Sequence, residues 1–205
     1  MSVLLGQLTD TTQGLFEALQ HSETWLVLSN KHRSMDEYGH CLAQLYGAQH
    51  LRDIALHQYG NWSSTHLPTA RQLPALERDL CLLGIPVKPL SEQPLVTAQS
   101  ITQLCSSYEG FVAAFYVDEQ LRLIHDSVAQ GVPQHWPRHY LTGAAMRYRW
   151  PQARDFIAHK IHGGLDAIEV SWLAQEHLVR LLESASDNRC HLSQRPKFKS
   201  ELVWR

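Results

Sequence analysis

The stretch Leu8-Thr9-Asp10-Thr11-Thr12-Gln13-Gly14-Leu15-Phe16-Glu17-Ala18-Leu19 decides the reading of this chain. Together with Leu4, its apolar residues Leu8, Leu15, Phe16 and Leu19 fall on one face of a 3.6-residue repeat. That periodicity predicts an amphipathic first helix with one buried stripe. Thr24-Trp25-Leu26-Val27-Leu28 continues the helical structure after a bend near His21-Ser22. No segment of the chain shows the strict polar/apolar alternation of a half-buried strand, so the fold class predicted is all-α.

The rest of the chain follows the same period. Ser34-Met35-Asp36-Glu37 has the Ser-x-x-Glu form of a capping box and opens a long helix. That helix should turn Tyr38, Cys41, Leu42, Leu45, Tyr46, Ala48, Leu51, Ile54 and Ala55 inward and end near Tyr59-Gly60. Thr69 to Gly84 reads as a further helix closed by glycine, and the proline-rich stretch from Ile85 to Pro94 as a loop. Ala98 to Ala129 reads as a long helix or bent pair with its bend at Gly110, and Gly131 to Pro137 as a break. Tyr140 to Ile161 is helical around Trp150-Pro151, and Gly163-Gly164 breaks the chain again. Leu165 to Ala185 is a last amphipathic helix carrying Ile168, Trp172, Leu173, His177, Leu178, Leu181 and Leu182. The expected organisation is one helical bundle over residues 1–185, with a polar, loosely held tail over 186–205.

Composition bounds the function. The chain has 205 residues, 44% of them hydrophobic and 19% charged, which suits one domain with a proper core. A net charge of -2 gives no bulk attraction to nucleic acid or to an acidic membrane surface. No apolar run approaches the roughly 20 residues that span a bilayer. Met1-Ser2-Val3-Leu4-Leu5 lacks a basic n-region, so a cytoplasmic protein is expected. Cys41, Cys81, Cys105 and Cys190 are widely spread, and the first three lie on apolar helical faces, as buried reduced thiols would. Trp136, Trp150 and Trp172 read as core residues, and most of the thirteen histidines as surface groups.

Five blocks in order resemble the heme oxygenase family, from about Leu8 to Leu182. The first helix resembles the family run Leu-x-x-x-Thr-x-x-x-His. Thr12 falls on the threonine, Leu15 on the apolar residue, and Phe16 on the histidine that binds heme iron. Asp36 to Tyr46 resembles the second helix. Arg71 to Leu80 followed by Leu83-Gly84 resembles the bacterial signature ending in Leu-Glu-x-Asp-Leu and Leu-Gly. Ala114-Phe115-Tyr116-Val117-Asp118-Glu119 resembles the entry to the distal helix, and Tyr140 through Gly143 and Arg149-Trp150 to Phe156 the next block. The resemblance implies a heme oxygenase-like multi-helix bundle with a pocket between the first helix and the distal helix. In the family, that pocket holds heme for conversion to biliverdin, ferrous iron and carbon monoxide.

The site residues depart from the family at two places. Phe16 has no lone pair for iron. After the block matching Tyr116-Val117-Asp118-Glu119 the family distal helix continues with Gly-Ser-x-x-Gly-Gly, whose glycines let backbone lie on the heme face. Here the continuation is Gln120-Leu121-Arg122-Leu123-Ile124-His125, and Gln120, Ile124 and His125 would project side chains there. The family's basic residues on the first helix fall near Thr9 and Gln13, leaving Arg147, Arg149 and Arg154 as cations across the pocket. The candidate pocket set is therefore Thr12, Phe16, Tyr116, Gln120, Leu121, Ile124, His125, Arg147 and Arg149.

His125 is the substitute candidate for any iron, and His21 reads as a surface or cap histidine. His125 lies on the distal helix, facing the pocket in this alignment, and is the better substitute ligand. His21 lies five residues after Phe16, about 140° further round a helix, and would need a break in that helix. The expected function is a divergent relative that does not degrade heme by the family mechanism, with heme itself a doubtful cofactor. It would bind a tetrapyrrole, another planar apolar ligand, or a protein partner. The alternatives are an active heme oxygenase with a substitute histidine and a di-iron oxygenase on the same fold. The second alternative draws on the single Glu-x-x-His of Glu37 and His40.

Overall fold

The computed structural model describes residues 3–60, 72–87, 104, 106–142, 146–162 and 164–186. Among the described residues seven helices follow in order: α1 Val3–Gln20, α2 Glu23–Ser29, α3 Met35–Gly60, α4 Leu73–Leu82, α5 Tyr108–Ala129, α6 Met146–His162 and α7 Ala167–Ser186. No strand occurs among the described residues, so the chain is all-α. None of these helices is long and apolar enough to cross a membrane.

The helix ends are built as local chemistry dictates. At α3 the Ser34 hydroxyl accepts from the Glu37 N–H at 3.1 Å, and a Glu37 carboxylate oxygen accepts from the Ser34 N–H at 2.7 Å. This reciprocal pair is a complete capping box. The backbone bond from Ser34 also holds the Glu37 carboxyl below its usual range. At the end of α4, Gly84 takes φ 71°. That conformation lets Ile85 N–H reach the Leu80 carbonyl at 2.9 Å and Gly84 N–H reach Cys81 at 3.0 Å, a Schellman closure.

α7 is the central element. Both α1 and α5 pack along it, α3 lies against α5 and α7, and α4 packs on α3. α6 covers the side formed by α5 and α1. The core runs through Leu8, Leu19, Leu28, Tyr38, Leu42, Leu80, Phe111, Val117, Ile157, Ala174 and Leu178, all essentially inaccessible to water.

Several sequence expectations are corrected. The break before α5 lies at Ser106-Ser107, and Gly110 sits inside the first turn. Ser107 caps that turn by accepting from the Gly110 N–H at 3.0 Å, a bond glycine's bend was not needed for. α6 begins at Met146, because Tyr140 to Thr142 form a turn pinned by the buried Asp79 carboxylate, which accepts from Tyr140 N–H at 2.8 Å. Trp172 and Ile168 are not core residues: they are 57% and 82% exposed, since α7 buries the face through Val170, Leu173 and Ala174. Cys81 is exposed on α4, while Cys41 is buried and its thiol is pushed up to about 12 by that burial. Trp136 and Trp150 are partly buried against the core. The expectations for Leu51, Ile54 and Ala55, for Cys105 and Cys190, and for the 187–205 tail fall outside the described residues or side chains.

Candidate functional site

A cleft of about 450 Å³ opens between α1, α2 and α5. That volume lies in the range of small-molecule sites. On α1 the spacing of Thr9, Gln13, Phe16 and Gln20, four then three then four, puts all four on its wall. On α5 Tyr116, Gln120, Leu123, Ile124 and Ser127 form the facing wall. Trp25, Leu26 and Ser29 of α2 close one end. The lining is thus aromatic and aliphatic, with amide and hydroxyl groups between. It carries no lysine, arginine, aspartate or glutamate among the described residues.

The floor is held rigidly. The Thr12 hydroxyl donates to the Leu8 carbonyl at 2.9 Å and lies 3.0 Å from the Tyr116 hydroxyl. With the Thr12 proton committed to Leu8, Tyr116 donates across the α1–α5 interface. Burial pushes the Tyr116 phenol up, so it stays protonated. The Phe16 ring meets Tyr116 edge to face, with centroids 6.2 Å apart. Phe16 is 8% exposed: its ring is mostly packed, and one surface faces the cleft. Trp150 of α6 backs Tyr116 at 6.2 Å.

The structure gathers Phe16, Tyr116, Gln120 and Ile124 in this cleft. Thr12 sits behind the wall, fully buried. Leu121 and His125 do not face it, which corrects the expected placement of the substitute histidine. One residue is about 100° of helix, so His125 turns away from Ile124 into the bundle. There, with Leu121, it lines a separate cavity of about 10 Å³, stacked on Trp25 at 5.2 Å and against Tyr140 at 4.6 Å. Neither ring nitrogen has a hydrogen-bond partner. Burial, reinforced by the Arg52 cation, pushes His125 down to about 3, so it is neutral at ordinary pH. Arg147 and Arg149 belong to α6, but their side chains lie outside the described set.

Below His125 lies a buried ionic cluster that sequence reasoning missed. Asp118 of α5 accepts from Arg122 at 3.1 Å, and Arg52 of α3 approaches it at 3.7 Å. Arg122 also pairs with Glu119 at 3.3 Å and donates to the Gln72 amide oxygen at 2.9 Å. The sequence signal for it was the charge spacing Asp118-x-x-x-Arg122, following the apolar run Phe111 to Val117. Its two guanidinium groups neutralise its two carboxylates, so it makes a poor cation site. Among the described residues no group of three or more His, Cys, Asp or Glu could hold a metal ion. Glu37 is spent on its cap. Nothing in the described site therefore supports the di-iron alternative.

His21 sits where the sequence left a condition open. α1 ends at Gln20, but the His21 N–H still bonds to the Glu17 carbonyl at 3.1 Å, so His21 caps the helix in register with it. His21 is exposed, lines the cleft, and places Nδ1 2.7 Å from the Glu17 carbonyl.

The sequence matches no protein-family model and no curated protein. By structure, the chain is similar to a heme oxygenase from Leptospira interrogans, with a TM-score of 0.68 at 16% identity. The match covers 91% of this chain and 99% of that one. The two share the all-α heme oxygenase fold.

Proposed function

We propose that the cleft binds a flat, largely apolar ligand of the tetrapyrrole class, and that the chain does not degrade heme by the family mechanism. The observation that carries this reading is the presence of Phe16, Gln120 and Ile124 side chains together in the cleft lining. By the sequence resemblance, Phe16 falls at the iron-binding histidine, and Gln120 and Ile124 fall within the run where the family has glycines. Oxygen activation on heme needs an axial protein ligand and an open distal pocket. A phenyl ring supplies no ligand, and an amide and a sec-butyl group occupy space on the opposite wall. The aromatic faces of Phe16, Trp25 and Tyr116 suit a flat apolar molecule.

Heme fits the described lining through one group. His21 carries the only imidazole there, and no described lining residue is a cation to pair with carboxylate side arms. That imidazole also favours the second reading, an active heme oxygenase with a substitute histidine. Titration of the protein with hemin, followed by a reductant in air, separates the two. The first reading expects saturable binding and no biliverdin. Bleaching of the Soret band with growth of a biliverdin spectrum establishes the second reading instead.

A further inference from the structure

We propose that α2 is the gate of the cleft: it opens as a unit, lifting Trp25 off the His125 ring, and acid favours the open form. The gate rests on the packing of α2; its link to a ligand rests on the reading of the cleft as a ligand site.

Among the described residues, Trp25 alone lines both the cleft and the inner cavity beside His125, so it is the partition between them. Its ring stacks on His125 at 5.2 Å with the planes 25° apart, and its indole N–H has no hydrogen-bond partner. The indole is therefore held by packing. The helix that carries it has seven residues, too few to be stable alone, so α2 keeps its shape by leaning on the bundle. Ser22 and Asn30 flank it in extended conformations, and the Ser22 hydroxyl donates to the Leu19 carbonyl instead of capping α2. Residues at element ends are where a rigid unit turns. The Thr24 hydroxyl ties α2 to the bundle, 2.9 Å from the Gln44 side-chain oxygen and 3.0 Å from the Ala185 carbonyl, with one proton for both. Leu26, which also lines the cleft, is 54% exposed.

His125 makes this gate sensitive to acid. Its ring faces Arg52 of α3, Asp118 and Arg122 of its own helix, and the Tyr140 ring. Described residues of α1, α2 and α7 line the cavity with Leu19, Trp25, Leu181 and Ala185, and His177 of α7 lies by the same Arg52 cation. Asp118 favours a proton on His125, but it is shared between Arg52 and Arg122. In the closed form burial and the Arg52 cation hold the ring down at about 3. With Trp25 lifted away, water reaches the ring and it returns to about 6.5. The open form then takes up a proton below about 6.5 and the closed form does not, so the opening constant rises about tenfold from pH 7.5 to 5.5.

Hydrogen exchange of the α2 amides, read by mass spectrometry and corrected for the intrinsic pH dependence of exchange, measures this opening. From pH 7.5 to 5.5 the protection of α2 should fall about tenfold, as one titrating ring requires. In His125→Phe, which keeps a ring under Trp25, it should not change; circular dichroism confirms that the variant is folded. A fall of about a hundredfold means that α2 exchanges only through global unfolding, which releases His177 as well, and overturns the gate. Flat protection in the wild-type chain overturns it too, as does a tenfold fall that persists in His125→Phe. Hemin tests the link to a ligand. At about ten times its Kd or more it should raise α2 protection at least about tenfold, because a flat molecule against Trp25 holds the gate shut. Binding without that rise overturns the gate as the ligand's route. Failure of hemin to bind removes the cleft reading, and exchange in the ligand-free protein then decides the gate by itself.

Discussion

Lowering the pH from 7.5 to 5.5 should destabilise this fold through two buried histidines. Burial holds His125 down at about 3 and His177 down at about 4, with the Arg52 cation adding to both. Asp118 pulls His125 the other way and Arg122 pushes it further down; a backbone bond to Gly110 raises His177 in part. In the unfolded chain each returns to about 6.5. The folded values are the lower ones, so the unfolded state binds more protons at acid pH. The stability from keeping these rings neutral is complete above about 6.5 and is lost as the pH falls toward the folded values. At pH 5.5 an unfolded histidine is about nine-tenths protonated, and a folded one at these values is almost wholly neutral. The loss between pH 7.5 and 5.5 is then about 1.4 kcal/mol per ring, or about 3 kcal/mol for the pair. For a chain of this size that lowers Tm by about 5–10 °C. Urea unfolding at the two pH values measures it directly. His125→Phe keeps a ring between Trp25 and Tyr140 and should remove about half of the pH dependence. It should cost little at pH 7.5, because both nitrogens it deletes lack partners. A wild-type chain equally stable at both pH values, or a variant with the full wild-type slope, refutes the reasoning.

Three other outcomes follow from the structure. Phe16→His alone should not produce biliverdin from heme under reductant and air, since Gln120 and Ile124 still project into the cleft; turnover restored by that one change would remove the basis for the proposed function. Ser34→Ala deletes the hydroxyl that receives the Glu37 N–H, and should lower the unfolding free energy by about 1 kcal/mol with no change in the urea m-value. Under native conditions a maleimide should label Cys81 about a hundredfold or more faster than Cys41, because Cys41 is both buried and held protonated; peptide mapping by mass spectrometry reads the ratio.

Much of the architecture was legible because helical periodicity and helix caps are local. Ser34 and Glu37 are three residues apart, so their reciprocal bonds follow from the chain itself. Gly84 announces the end of α4 for the same reason. Where a tertiary partner competes, local signals misplace boundaries. Tyr140 reads as the start of a helix, but its N–H is claimed by Asp79, 61 positions away, and α6 starts later. Trp172 shows the same limit: hydrophobicity marks it for the core, but the face of α7 that buries Val170 and Ala174 leaves it in solvent. The cleft itself was half legible. Phe16, Tyr116, Gln120 and Ile124 share one cleft because helical spacing puts the first on the α1 wall and the other three on the facing wall of α5. The choice between histidines turns on finer geometry. His125 differs from Ile124 by one residue, and about 100° of rotation sends it into the bundle instead of the cleft. His21 reads from the sequence as a surface or cap histidine, and it is exposed at the C-terminal end of α1. The Glu17 carbonyl holds both its N–H and its ring at the end of α1, so it stays in register with the helix at the edge of the cleft. Helical rotation thus separates His125 from Ile124, and Trp25 stacked on His125 makes that face of α5 core while the Ile124 face stays cleft.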